Sequence, residues 1–200
     1  MVLTLKRAVL STISLWIILA WGYTFLMVGL GQLFFPYQAN GSPVSVRGHV
    51  VGLQHVGQYF GNNLQYFWGR PSDTVSVATG KPQPYNAFAS SPSNYGPTNA
   101  KLIQDIQARI HMYRQTTPGL HVSRIPISLV ESSGSGLDPN ITVQSALIQI
   151  PRIAKHTGLS EKTLKHLVAT QILPPDLGVF GPRRINVLLL NKALYQMLHH

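Results

Sequence analysis

The chain has 200 residues, no cysteine, and a formal net charge of +10 set by sixteen Lys and Arg against six Asp and Glu. A disulfide scaffold is excluded. Six scattered carboxylates leave little for acid–base or metal chemistry. The basic balance points toward anionic surfaces, whether nucleic acid, lipid headgroups or an acidic protein face.

No charged residue lies between Arg7 and Arg47, and Ala8 to Phe35 is mainly apolar. A helix needs about 20 such residues to cross a hydrocarbon core, and a helix satisfies its own backbone there. Residues 8–35 are therefore read as a transmembrane helix. The competing reading is a cleaved signal peptide, but its apolar region is only about 7–15 residues and ends in small side chains. Here the run ends in Phe34 and Phe35. Lys6 and Arg7 precede the helix, and positive charge beside a first helix stays cytoplasmic. Residues 1–7 are thus expected inside, 36–47 as a linker, and 48–200 as one extracytoplasmic α+β domain. Gly22 and Gly29 share a helix face where a partner helix could approach closely.

Beyond the linker, residues 48–60 alternate enough for one or two strands. Residues 67–98 are rich in Pro, Gly, Ser and Asn and show no lasting period. Loops this long are functional or disordered, and Phe67, Trp68, Tyr85, Phe88 and Tyr95 argue for order. Thr98 or Asn99 can cap a helix reaching Gln115, with Leu102, Ile106, Ile110 and Tyr113 on one face. Residues 125–130 alternate as a strand. A helix over residues 142–156 is expected to kink at Pro151. Gly158 closes it, and Ser160 caps the next helix. Ile185 to Leu190 reads as a strand before a short terminal helix.

Functional motifs are few. The run SSGSG at 132–136 has serines among glycines but lacks the G-x-S-x-G elbow of a hydrolase, and reads as a tight turn. The histidines are scattered, with His199 and His200 at the terminus, so no metal ligand set is read. No phosphate-cradling P-loop is present. Arg152 to Val168 (RIAKHTGLSEKTLKHLV) has the look of a helix-turn-helix. A membrane-anchored DNA-binding regulator is accordingly the alternative function, though the predicted orientation puts this segment away from DNA. A stand-alone anchored enzyme is the third possibility, and the poverty of site chemistry argues against it.

Five stretches then stand in order: YFWGRPS (66–72), ASSPSNYGPTN (89–99), SSGSGLDPNIT (132–142), IQIPRIAKHTGLS (148–160) and INVLLLNKAL (185–194). With the single span they resemble the C subunit of the Kdp potassium-transporting ATPase. The resemblance implies a non-catalytic accessory subunit of a high-affinity, ATP-driven potassium pump in the bacterial inner membrane. It implies three partners, namely a channel-like potassium-binding subunit, a P-type ATPase subunit and a very small membrane subunit, and no nucleic acid. It also implies either assistance to assembly and potassium entry, or a chaperone role that raises ATP affinity. No cofactor is implied as tightly bound. ATP is the possible ligand, at Gln144 or less favourably Gln149. Two departures stand out: Pro92 and Tyr95 replace the glycine and leucine common in the family, and GPRRINV lacks its usual acidic residue. ATP is cytoplasmic while Gln144 is predicted outside, so assembly and potassium entry are the preferred reading. Residues 66–99, with Trp68 and Arg70 as anchors, are the expected contact with the channel-like subunit.

Overall fold

A computed structural model describes residues 2–199; His200, noted above for its terminal position, lies outside the described residues. The chain divides into two compact units, Met1–Pro43 and Val44–His200. The expected architecture, one apolar helix followed by a mixed α+β domain, is the one found.

The first unit is a helix apolar and long enough to cross a membrane, Leu3–Phe34. It comprises α1 (Val2–Trp16), a π-helical stretch (Ile17–Tyr23) and α2 (Thr24–Phe34). Its apolar side chains are exposed throughout, as lipid or a partner helix would require. Trp21 lies 6.3 Å from Trp16 and 5.7 Å from Phe25 between ring centroids, forming an aromatic cluster around the π-helical turn. The stretch read as a linker holds one helical turn, α3 (Pro36–Ala39), and then strand β1 (Pro43–Val46).

In the second unit β1 continues into β2 (His49–Leu53) through Arg47 and Gly48, at φ 49° and 81°. Two positive φ values in a two-residue turn are the type I′ geometry, whose twist suits a hairpin. A second ribbon is made by β3 (Asn140–Thr142) and β4 (Arg184–Asn186), antiparallel with Ile141 opposite Ile185. Around it pack α5 (Val143–Leu147), α6 (Ile150–Thr157), α7 (Glu161–Thr170) and α8 (Val187–Leu198). Ile150, Ile153, Leu164, Ile185, Leu190 and Leu194 are fully buried in this core. Each contributes about 1.5–3 kcal/mol by leaving water. A smaller core of Trp68, Tyr113 and Leu129 lies under α4 (Ala100–Thr116), and Phe60 packs against both.

Several local readings are confirmed. The Asn99 side chain, rather than Thr98, accepts from Lys101 N and caps α4. Gly158 ends α6 at φ 77°, where a side chain would be strained, and Ser160 accepts from Thr163 N to start α7. Three readings are corrected. The helix expected over 142–156 is two helices, and Pro151 lies in the first turn of α6, where its missing N–H costs nothing. The strand expected at 125–130 holds instead a 3₁₀ turn, Ile127–Leu129, with another at Val122–Arg124 just before it. The strand expected at 185–190 stops at Asn186, whose side chain accepts from Leu189 N and turns the leucine run into α8. Leucine is a good helix former, and the cap decides.

Candidate functional site

The 66–99 loop has almost no regular structure, one 3₁₀ turn (Ala87–Ala89) aside, yet it is stitched down by side chains. Gln149, at the start of α6, is 0% exposed. Its Oε1 accepts from Trp68 N at 2.8 Å and from Arg152 Nη2 at 2.6 Å. Its Nε2 donates to Trp68 O at 3.1 Å and Ser145 O at 3.0 Å. Asn191 of α8 holds Phe67 the same way, accepting from its N at 2.8 Å and donating to its O at 2.9 Å. The two amides thus act as an extra strand partner for residues that have none, which removes the large cost of burying bare backbone groups.

Arg152 completes the clamp. It donates from Nη1 to Leu64 O at 3.1 Å and from Nη2 to Tyr66 O at 3.0 Å. Its guanidinium stacks 3.7 Å from the centroid of the Trp68 ring. No carboxylate pairs with it among the described residues, and burial lowers its pKa to about 10, so it remains a cation at neutral pH. Trp68 is only 4% exposed, and its Nε1 donates to Asn63 O at 2.8 Å. The structure therefore places Trp68 inside its own domain.

Arg70 is partly buried and bonded to Asp138 at 3.1 Å. Its carbonyl accepts the Tyr85 hydroxyl at 2.6 Å, and burial pushes the Tyr85 phenol well above the ordinary value. Further along, Ser72 accepts from Tyr85 N, and Thr74 accepts from Asn86 N while donating to Gln83 O. Arg109 of α4 bonds Asp73 at 2.7 Å and Val130 O at 2.8 Å. The SSGSG run is the turn that this loop rests on: Ser132 donates to Asp73, and Ser133 N donates to Pro71 O. Gly136 sits at φ 68° with Thr74 so close that a Cβ there would clash. Between loop and α4 lies a pocket of about 240 Å³ lined by Trp68, Arg70, Tyr85, Arg109 and Tyr113. With Arg70 and Arg109 both paired to aspartates, its charge is largely cancelled.

The loop buries its first aromatics and presents later ones. Phe88 is 92% exposed, and Tyr95 is also exposed. Gln144 lies on the surface of α5, whereas Gln149 has its amide fully engaged. The two glutamines are thus not brought together as one site. Gly22 and Gly29 have open space where a Cβ would stand, with only Ile17 O near Gly22 at 3.9 Å. The helix-turn-helix look-alike does form a helix pair, but Arg152 is consumed by the Trp68 clamp, and Lys165 pairs with Glu161 at 3.3 Å. Five carboxylates are held in ion pairs, and no group of three potential metal ligands occurs among the described residues. The Asn191 clamp was missed by sequence reading. Its signal was an amide directly after the apolar run VLLL at 187–190.

Residues 5–196 match the family model described as K+-transporting ATPase, c chain. The chain is 44% identical over 174 residues to the potassium-transporting ATPase KdpC subunit of Janthinobacterium sp. (strain Marseille), covering 87% of this chain and 88% of that one. It is 40% identical over 198 residues to the KdpC subunit of Methylobacterium nodulans, covering 96% of each. It is 38% identical over 192 residues to that of Caldanaerobacter subterraneus subsp. tengcongensis, covering 96% of this chain and 94% of the other.

Proposed function

The chain belongs to the family of the K+-transporting ATPase c chain, and we propose that it acts in such a pump as a single-span accessory subunit that stabilises assembly and assists potassium entry. The observation that carries this reading is the extent of the match, which takes in the apolar helix as well as the whole following domain. Family membership does not favour the DNA-binding alternative. In this reading Leu3–Phe34 crosses the inner membrane, Lys6 and Arg7 stay cytoplasmic, and residues 48–200 lie outside. Gly22 and Gly29 give a partner helix room for close approach.

The contact with the channel-like subunit is assigned to the 66–99 loop. Trp68 and Arg70 hold that loop from beneath, and exposed Phe88 supplies the anchoring ring. A rigid loop loses little conformational freedom on docking, which favours binding. The chaperone role that the resemblance implies would fall to Gln144, which is exposed. Freeing the Gln149 amide for ATP would strand Trp68 N and O, at about 1–3 kcal/mol for each unsatisfied group.

The deciding experiment is deletion and complementation in cells that retain the other pump subunits. Loss of the chain should abolish growth at limiting potassium and detach the channel-like subunit from the ATPase subunit in pull-downs. An intact, fully active pump without the chain would refute the reading. Protease cleavage of a C-terminal tag in intact spheroplasts tests the orientation; protection until lysis would reverse it and make nucleotide assistance at Gln144 the role to pursue.

A further inference from the structure

The β1–β2 hairpin and α8 enclose an open groove of about 430 Å³. Its floor is apolar, made by Val51, Phe60, Tyr66, Leu188 and the ring of Tyr195. Its rim carries Arg47, His49 and Lys192, and no carboxylate lines it. Neither Arg47 nor Lys192 takes part in an ion pair among the described residues. That contrasts with the neutral pocket under the 66–99 loop, where each arginine has its aspartate.

The neutral amides of the groove are already engaged. Both ends of the Asn191 amide are bonded to Phe67, and the Gln58 amide nitrogen donates to Val51 O at 2.7 Å. The unspent charges at the rim are those of Arg47 and Lys192, whose groups only donate. Arg47 is also held in an unfavourable backbone state. It occupies the first turn position at φ 49°, where asparagine or glycine folds more readily, and its guanidinium lies 5.6 Å from the Tyr195 ring centroid.

We propose that this groove binds an anionic phospholipid, its phosphate against Arg47 and Lys192 and an acyl chain along the apolar floor. The occupant must be anionic at one end and apolar elsewhere, which describes such a lipid. A polypeptide backbone offers carbonyl acceptors but no net charge, so it would leave the Arg47 and Lys192 cations uncompensated. Strand β1 also begins at Pro43, soon after the apolar helix ends at Phe34, so the groove's first wall is tethered to the segment read as membrane-spanning. The inference rests on that reading, which carbonate extraction of membranes tests separately.

The test uses the full chain in a neutral detergent, titrated calorimetrically with dioctanoyl phosphatidylglycerol, with dioctanoyl phosphatidylcholine and inorganic phosphate as comparison arms. Phosphatidylglycerol should bind saturably, one per chain, and about tenfold or more tighter than phosphatidylcholine, with phosphate failing to displace it. Arg47→Asn should weaken binding about tenfold while thermal stability is unchanged or raised, because asparagine suits the turn. Lys192→Gln should weaken it similarly. Equal affinity for the two lipids, displacement by inorganic phosphate, or wild-type binding by Arg47→Asn would overturn the proposal. A glutamate-rich peptide that binds the groove more tightly than the lipid would also overturn it, in favour of an acidic protein partner.

Discussion

The second unit holds its two halves in different ways. The core around β3, β4 and α5 to α8 is apolar and regular, and its strength is surface removed from water. Residues 60–99 have little regular structure, and their strength is a few directed hydrogen bonds from Arg152, Gln149 and Asn191. The difference teaches that a buried polar side chain can substitute for secondary structure. It also concentrates risk: an apolar core degrades gradually with each lost methyl, whereas losing one clamp strands several backbone groups at once.

The largest effect should therefore come from a polar residue. Arg152→Ala removes three hydrogen bonds and the stack on Trp68, and should destabilise the domain by about 3 kcal/mol or more in thermal or urea unfolding. Gln149→Leu gains apolar character at similar volume, yet should cost about 2–3 kcal/mol because Trp68 N and O lose their partners. Ile153→Val, in the apolar core, should cost only about 1 kcal/mol. If the valine variant proved the weaker of these two, the contrast between the halves would fail.

Alkaline pH sharpens the same contrast. Burial raises the phenols of Tyr85 and Tyr113, which belong to the loop and its underlying core, above their ordinary value of 10.0. They keep their protons in the folded state where the unfolded chain has lost them. The stability they contribute is full below about pH 10 and falls above it, at about 1.4 kcal/mol per pH unit for each group. Arg152 works in the opposite sense, since its folded value of about 10 lies below the ordinary 12.5, but two tyrosines outweigh it. Unfolding followed by circular dichroism should begin above pH 10, and Tyr113→Phe should move its midpoint upward. The smallest effect on stability belongs to Phe88→Ala, within about 0.5 kcal/mol because the ring is solvated. The same change should still weaken capture of the channel-like subunit; unchanged capture would remove the loop from the interface.

Legibility followed the same division. Apolar run length gave the span, read as 8–35 and found as Leu3–Phe34, and cap chemistry gave Gly158 and Ser160 to the residue and Asn99 as one of two candidates. Asn186 carried the same cap chemistry, but the β-like look of INVLLL masked it. Pro151 was read as a kink because a proline inside a helical pattern and one opening a new helix differ only in where the preceding helix stops. The clamp was illegible for another reason. Gln149 lies 81 residues from Trp68 and Asn191 lies 124 from Phe67, and no local pattern encodes such pairings. Trp68 could equally have been an interface anchor or a core residue on sequence alone, and its place under Arg152 is a tertiary fact.

The π-helical stretch Ile17–Tyr23 has a consequence for helical phase. Its wider turns act like an inserted residue, so a stripe of side chains along α1 does not continue as the same stripe along α2. Tightening that stretch to ordinary α-helical turns, with no residue removed, would rotate everything downstream about the axis, carrying Gly29 to a different compass point relative to Lys6 and Arg7. The span would keep its apolar character and lose its aim.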